Sequence, residues 1–290
     1  MAKEEQKIGY KDILHQKEYM KMILAALINR FGDAIDAIAF TWLVYEITGS
    51  AAWSAIMYGV NKVPTMLVTP LAGVCVEGRN KKMIMIITDV IRAICVAIIA
   101  TGYMLHVLQP WMLLVITFII STAEAFRGPA NTALTPRVLK REYYEYGMSL
   151  MSTMTSITEL VGTAVAAGVI AILGCSGAIY IDMITFILSA VIILTVNTKE
   201  PKAQKQKFQA ETFMGDFVAG IQYIKKQRII CFLLGIIVFL NGILVPINSL
   251  QAAMSNEILH SGAEILSIFS IAITLGMLLG SFCFPMVNKK

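Results

Sequence analysis

Eight apolar runs, each near twenty residues long, recur along the sequence, and they constrain the fold more than any other feature. A helix rising about 1.5 Å per residue needs about 20 residues to cross about 30 Å of hydrocarbon. The runs cover Met22 to Ile47, Trp53 to Val76, Met83 to Leu105, Trp111 to Ala133, Met148 to Leu173, Ile179 to Val196, Ile229 to Ser249 and Ile265 to Val287. With 57% hydrophobic and 15% charged residues, the chain exceeds the apolar content of soluble domains, so lipid is its expected solvent. The polar lead-in Met-Ala-Lys-Glu-Glu and the charges inside the first run do not fit a cleavable signal peptide, so that run is expected to stay. Five scattered cysteines form no CxxC pair and suggest neither a disulfide framework nor a zinc site.

Lysine and arginine concentrate in cytoplasmic loops. Here twenty of the 24 fall before the first run, in Glu77 to Lys82, around Arg137 to Arg141, between Lys199 and Arg228, or at the end, while the outer connections hold none. The expected topology is therefore a multi-pass protein of the plasma membrane with both termini cytoplasmic. Because this topology explains the basic residues, nucleic-acid binding is unsupported. Residues 1–197 are expected to form a six-helix half and residues 229–290 the first two helices of a second half. Between them, 198–228 is expected to be a cytoplasmic linker. Its residues Phe213, Phe217, Ile221 and Ile224, beside Lys225, Lys226 and Arg228, predict a helix lying at the membrane surface. A repeat supports two halves: Gly73 to Lys82, with Cys75 and Asn80-Lys81-Lys82, is echoed 208 residues later by Cys283 and Asn288-Lys289-Lys290.

The other four basic residues, Arg30, Lys62, Arg92 and Arg127, lie inside runs. A charge at bilayer depth costs about 2.5–3.5 kcal/mol on insertion scales and marks a candidate functional position. Arg30, Asp33 and Asp36 share one face of the first helix, and Lys62, Glu124 and Glu159 fall at similar depth. Such a set describes a polar cavity for substrate and protons. Alternatively the charges form neutral pairs, Arg30 with Asp33 and Lys62 with Glu124 or Glu159, that hold the bundle together. Two carboxylates beside one cation repel each other once desolvated, which makes Asp33 or Asp36 a candidate proton carrier. Asp89 and Arg92, three residues apart, read as a local ion pair, and Arg127 as a partner of Glu77 or an interfacial residue. The small residues Gly162, Ala166 and Gly168 read as close helix packing.

Enzyme chemistry finds no support. Gly174-Cys-Ser176-Gly177 matches the GxSG of rhomboid-type proteases, but the three histidines, His15, His106 and His260, all lie outside the runs. Phe31-Gly-Asp33 lacks the first glycine of the GxGD motif, and there is no P-loop. No cofactor or metal is expected.

Four segments resemble the major facilitator superfamily, in particular its drug:proton antiporter branch, which includes macrolide-efflux and enterobactin-exporter-like proteins. The segment Gly73-Val-Cys-Val-Glu77-Gly-Arg-Asn80-Lys81-Lys82, followed by Asp89-Val-Ile-Arg92, is similar to the signature loop Gly-x-x-x-Asp-Arg-x-x-Arg-Arg, with Glu77 and Gly78 replacing its acid and first arginine. Asn29-Arg30-Phe-Gly32-Asp33, the stretch Arg127-Gly-Pro129-Ala130 to Pro136, and Gly220-Ile-Gln-Tyr223 also resemble branch patterns. In the fifth helix Thr163 stands where the antiporter signature has proline. The resemblance implies an all-α bundle of major facilitator type that exports hydrophobic drugs or macrolide-like compounds, cationic ones among them, by proton antiport. It also implies a gating loop built on Gly73, Glu77, Lys81 and Lys82 with Asp89, Arg92 and Arg127. Because the superfamily has twelve spans, the chain is expected to be a shortened transporter that does not transport alone, with a separately supplied C-terminal segment as partner. A non-transporting membrane subunit is the alternative.

Overall fold

In a computed structural model, the described residues are 10–77, 79–198, 222, 225–250, 254–258, 264–273 and 275–276. They contain helices and no strand: α1 (Tyr10–Leu14), α2 (Lys17–Thr48), α3 (Ala51–Glu77), α4 (Lys81–Met104), α5 (Pro110–Val138), α6 (Tyr144–Thr195), α7 (Arg228–Ser249) and α8 (Glu264–Ile273). Most of the expected surface helix at 213–228, Gly78, and the second repeat copy at 281–290 lie outside the described residues.

Local chemistry sets the breaks between helices. Gly49 closes α2 in the left-handed conformation at φ 58°, with its N–H donating to the Tyr45 carbonyl at 2.7 Å. The Asn80 side chain caps α4 by accepting from the Met83 N–H at 2.8 Å. Pro110 opens α5, where its missing N–H costs nothing. Prolines inside α3 (Pro64, Pro70) and α5 (Pro129, Pro136) interrupt the backbone ladder, as helices in lipid tolerate where neighbours pack against the break.

A straight α6 of 52 residues would be about 78 Å long, more than twice the hydrocarbon thickness. It is not straight. Gly174, at φ 72° and ψ 174°, divides it into α6a (144–173) and α6b (175–195), where the sequence places the gap between its fifth and sixth runs. Packing shows that the chain reverses there. Near the start of α6a, Tyr143, Leu150 and Met151 pack with Tyr19 and Ile23, close to the beginning of α2. Cys175, Ala178 and Ile179 pack with Val44 and Tyr45 near its end, and Ile193 and Val196 return to Met22. Six segments, α2 to α6b, thus run alternately up and down in one bundle.

Among the described residues, four helices are long and apolar enough to cross a membrane: Ala52–Glu77, Lys81–Met104, Pro110–Val138 and Arg141–Thr195, the last containing both α6 segments. The 32-residue α2 is long enough too, but Arg30, Asp33 and Asp36 interrupt its apolar character. Helix α4 shows how the two environments divide one helix. Met85, Asp89, Arg92, Val96 and Ile99 are buried at helical spacing, whereas Ile87, Val90, Ile91, Ile94 and Ile98 face outward. Side chains of that kind suit lipid, and in water they would make a contiguous apolar patch. The chain is a multi-pass, all-α membrane protein.

Candidate functional site

Residues 30, 33 and 36 stand one helical step apart on α2, so their side chains leave the helix on one face. That face opens on a cavity of about 470 Å³ enclosed by α2, α3, α4, α5, α6a, α6b and α8. Its wall carries Arg30, Asp33, Asp36, Lys62, Glu124 and Glu159 together with Arg92 and Asp182, five carboxylates against three cations. Apolar groups, among them Phe40, Met57, Ile120, Phe186 and Leu266, share the rest of the lining with Thr41, Ser54, Tyr58, Asn61 and Ser270. A concave site of several hundred Å³ that combines apolar side chains with convergent polar groups has the form of a small-molecule site, here with an unusually charged wall.

Neither of the pairings expected as a neutral alternative is found. Arg30 bonds Glu159 on α6a, with its NH2 group 2.6 Å from Oε2, rather than Asp33 three residues away. Asp33 instead receives a hydrogen bond from Arg92 of α4 at 2.7 Å. Lys62 pairs with neither Glu124 nor Glu159; its ammonium lies 5.7 Å from the centroid of the Tyr58 ring. For Arg30 and Asp33 the physical reason is common, whereas Lys62 stays with Tyr58 of its own helix. Side chains on one helix face point the same way into the cavity, so the shortest approaches come from opposing helices.

Asp89 and Arg92 are likewise not partners. Asp89 is fully buried and accepts from Arg127 Nε at 2.5 Å and from Ser189 Oγ at 2.7 Å, with Asn29 Nδ2 at 3.4 Å. This junction joins α2, α4, α5 and α6b at one point. It also corrects the expected contact of Arg127 with Glu77, since Arg127 turns inward to the fully buried carboxylate of Asp89. Arg92, one turn along α4 from Asp89, lies on the cavity wall, its guanidinium carbon 4.1 Å from the centroid of the Phe186 ring. The residues expected to form one gating group therefore divide. Asp89 and Arg127 form the junction, Arg92 faces the cavity, and Gly73, Glu77, Lys81 and Lys82 belong to the end of α3, the turn and the start of α4.

At that end lysines satisfy helix C-terminal carbonyls, which have no partner within their own helix. Lys81 Nζ donates to the carbonyls of Glu77 and Arg79 at 2.8 and 3.0 Å. Lys82 Nζ donates to Leu194 and Val196, both at 2.8 Å, and Lys21 Nζ to Thr195 at 2.9 Å. Glu18 completes the clasp by accepting from the Asn197 N–H at 2.6 Å and from Lys21 at 3.0 Å. Those bonds, that from Asn197 first, hold the Glu18 carboxyl below its ordinary value.

Asp182 is the residue that sequence reasoning missed. It stands alone in the apolar run of α6b, 1% exposed. Its signal was the polar stripe Asp182, Thr185, Ser189 at spacings of three and four, which marks an inward face. Where that face meets α2 the helices nearly touch: a Cβ on Gly32 would collide with Thr185 Oγ1 and Asp182 Oδ1. Gly162 likewise abuts Ala34 and Phe31 of α2, whereas Gly168 faces open space.

A bundle of this topology, with charges gathered inside and apolar side chains outside, defines a polytopic membrane protein with an internal site. The family model described as transmembrane secretion effector, of the major facilitator (MFS) type, matches residues 12–290, and the chain belongs to that family. It is 24% identical over 291 residues to the uncharacterized MFS-type transporter YkuC of Bacillus subtilis, covering 96% of this chain and 66% of YkuC. It is 25% identical over 248 residues to macrolide efflux protein A of Streptococcus pyogenes, covering 86% of this chain and 61% of that protein. To the multidrug efflux pump Tap of Mycobacterium tuberculosis it is 22% identical over 218 residues, covering 72% and 51% respectively. The chain thus spans between about half and two thirds of the length of these curated relatives.

Proposed function

We propose that the chain belongs to a machine that exports hydrophobic small molecules, cationic and macrolide-like compounds among them, in exchange for protons. The observation that carries the reading is the cavity, where apolar walls meet more carboxylates than cations inside a bundle otherwise faced with lipid-compatible side chains. Apolar walls favour a hydrophobic body, and excess acid favours positive charge, whether on a substrate or as protons. The efflux proteins among the relatives support the same direction. In this reading Asp33 and Asp36 line the path and Asp36 takes part in proton exchange. Residues 1–197 act as one body and 229–290 belong to the other, with both termini in the cytoplasm. Rocking of the two around the cavity would alternate access, while the turn carrying Gly73, Glu77, Lys81 and Lys82 closes the inner side.

Uncoupler-sensitive efflux by a full-length relative tests the roles. The counterpart of Asp36→Asn is expected to abolish proton-driven export, while that of Asp89→Asn lowers the amount of folded protein. Full export after the Asp36 change would remove it as proton carrier, and drug retention despite good expression would favour a non-transporting subunit. Cysteines placed at His106 and Lys202 test the orientation: the first should react with an impermeant reagent from outside and the second only after permeabilisation.

A further inference from the structure

Three carboxylates on two helices, Asp33 and Asp36 of α2 and Asp182 of α6b, line one cavity with Arg92, whose guanidinium lies over Phe186, one turn along α6b from Asp182. One NH2 group of Arg92 is committed to Asp33. Its Nε is buried and has no hydrogen-bond partner among the described residues, and neither has Asp36 Oδ1. Asp182, 1% exposed, forms no ion pair among the described residues and is held only locally, Thr185 Oγ1 lying 3.2 Å from Oδ1. The remaining charges of the cavity do not relieve this group. Arg30 is bound to Glu159, Lys62 lies over Tyr58, and Glu124 adds a further negative charge from α5. One guanidinium cannot neutralise three carboxylates, and unpaired charge on the buried one, Asp182, is too costly to keep.

Resting on the export reading above, we infer that Asp182 is a further proton-binding residue of the cavity, seated by Gly32 and competing with Asp33 for Arg92. The step is a simple protonation. A proton from the aqueous phase bonds to a carboxylate oxygen of Asp182 while Arg92 stays on Asp33. Departure of that proton leaves a carboxylate that draws the guanidinium toward α6b, and no other bond changes. Gly32 belongs to the device because only a residue without Cβ leaves room for the Asp182 carboxyl against α2. Movement of Arg92 between α2 and α6b would couple proton occupancy to the contact between these helices.

The test is infrared difference spectroscopy of the full 290-residue chain in lipid nanodiscs, stepped between acid and alkaline pH, reading the C=O stretch of protonated carboxyl groups. The wild type is expected to show a titrating band that loses one carboxyl equivalent in Asp182→Asn, returns at a shifted frequency in Asp182→Glu, and shifts its pH midpoint in Gly32→Ala. Helical circular dichroism of each variant reports folding, and the Glu variant keeps the test meaningful if the Asn variant misfolds. An unchanged band in a folded Asp182→Asn variant would overturn the inference, as would a Glu variant with no carboxyl band. The readout is independent of export: a lost band together with no efflux by the full-length relative supports the proton site while removing the transport reading, and efflux by that relative with an unchanged band does the reverse.

Discussion

Replacing Asp89 with alanine should be among the most damaging single changes to this bundle. Asp89 is completely buried, and its loss strands Arg127, whose side chain is 13% exposed, with only the Ser189 hydroxyl at 3.2 Å as a partner. Removing one member of a buried ion pair costs about 3–5 kcal/mol. Insertion scales give about 2.5–3.5 kcal/mol for a lone arginine at membrane depth, so the two routes meet near 3 kcal/mol. That corresponds to about a hundredfold change in the folding equilibrium. The assay is reversible unfolding of the purified chain in mixed micelles titrated with SDS, followed by circular dichroism. Asp89→Asn, which keeps an acceptor oxygen but loses the charge, should fall between the wild type and Asp89→Ala. The paired change Asp89→Leu with Arg127→Met removes both charges together and should cost much less than the two single changes combined. A cost for Asp89→Ala below about 1 kcal/mol, or a double variant equal to the sum of its singles, would refute the account of the junction.

Acid should weaken the clasp at the lysine-rich end. Because the folded Glu18 carboxyl is held below its ordinary value, its contribution is present above the unfolded glutamate range and is lost as pH falls through the folded value. Glu18→Gln should therefore remove that part of the acid dependence, by no more than about 1 kcal/mol since the pair is partly exposed, and stability against pH from 7 to 3 measures it. The glycines of α6a should respond unequally to alanine. A Cβ at Gly162 would lie 2.8 Å from the Ala34 Cβ and should cost about 1–3 kcal/mol, whereas at Gly168 it meets nothing within 4 Å and the helix should gain slightly, as thermal unfolding of both variants will show.

Membrane crossing was legible in the sequence because it depends on local quantities, run length and hydropathy. The split of α6 near Gly174 was legible for the same reason, since the gap in hydropathy lies in the chain itself. The inward set Arg30, Asp33 and Asp36 could also be read, because three-residue spacing fixes a helix face before any partner is known. The partners could not. Spacing along one helix suggested Arg30 with Asp33 and Asp89 with Arg92, yet among the described residues the ion pairs of Arg30, Asp33, Asp89 and Arg92 all join different helices. Ion pairing is decided by which side chains converge across a gap, and that follows from helix order and from approach distances such as that at Gly32. Asp182 escaped for a related reason: a lone acid in an apolar run says that something pays for its burial, and only the packing of α6b against α2 and α4 reveals that Arg92 stands nearby.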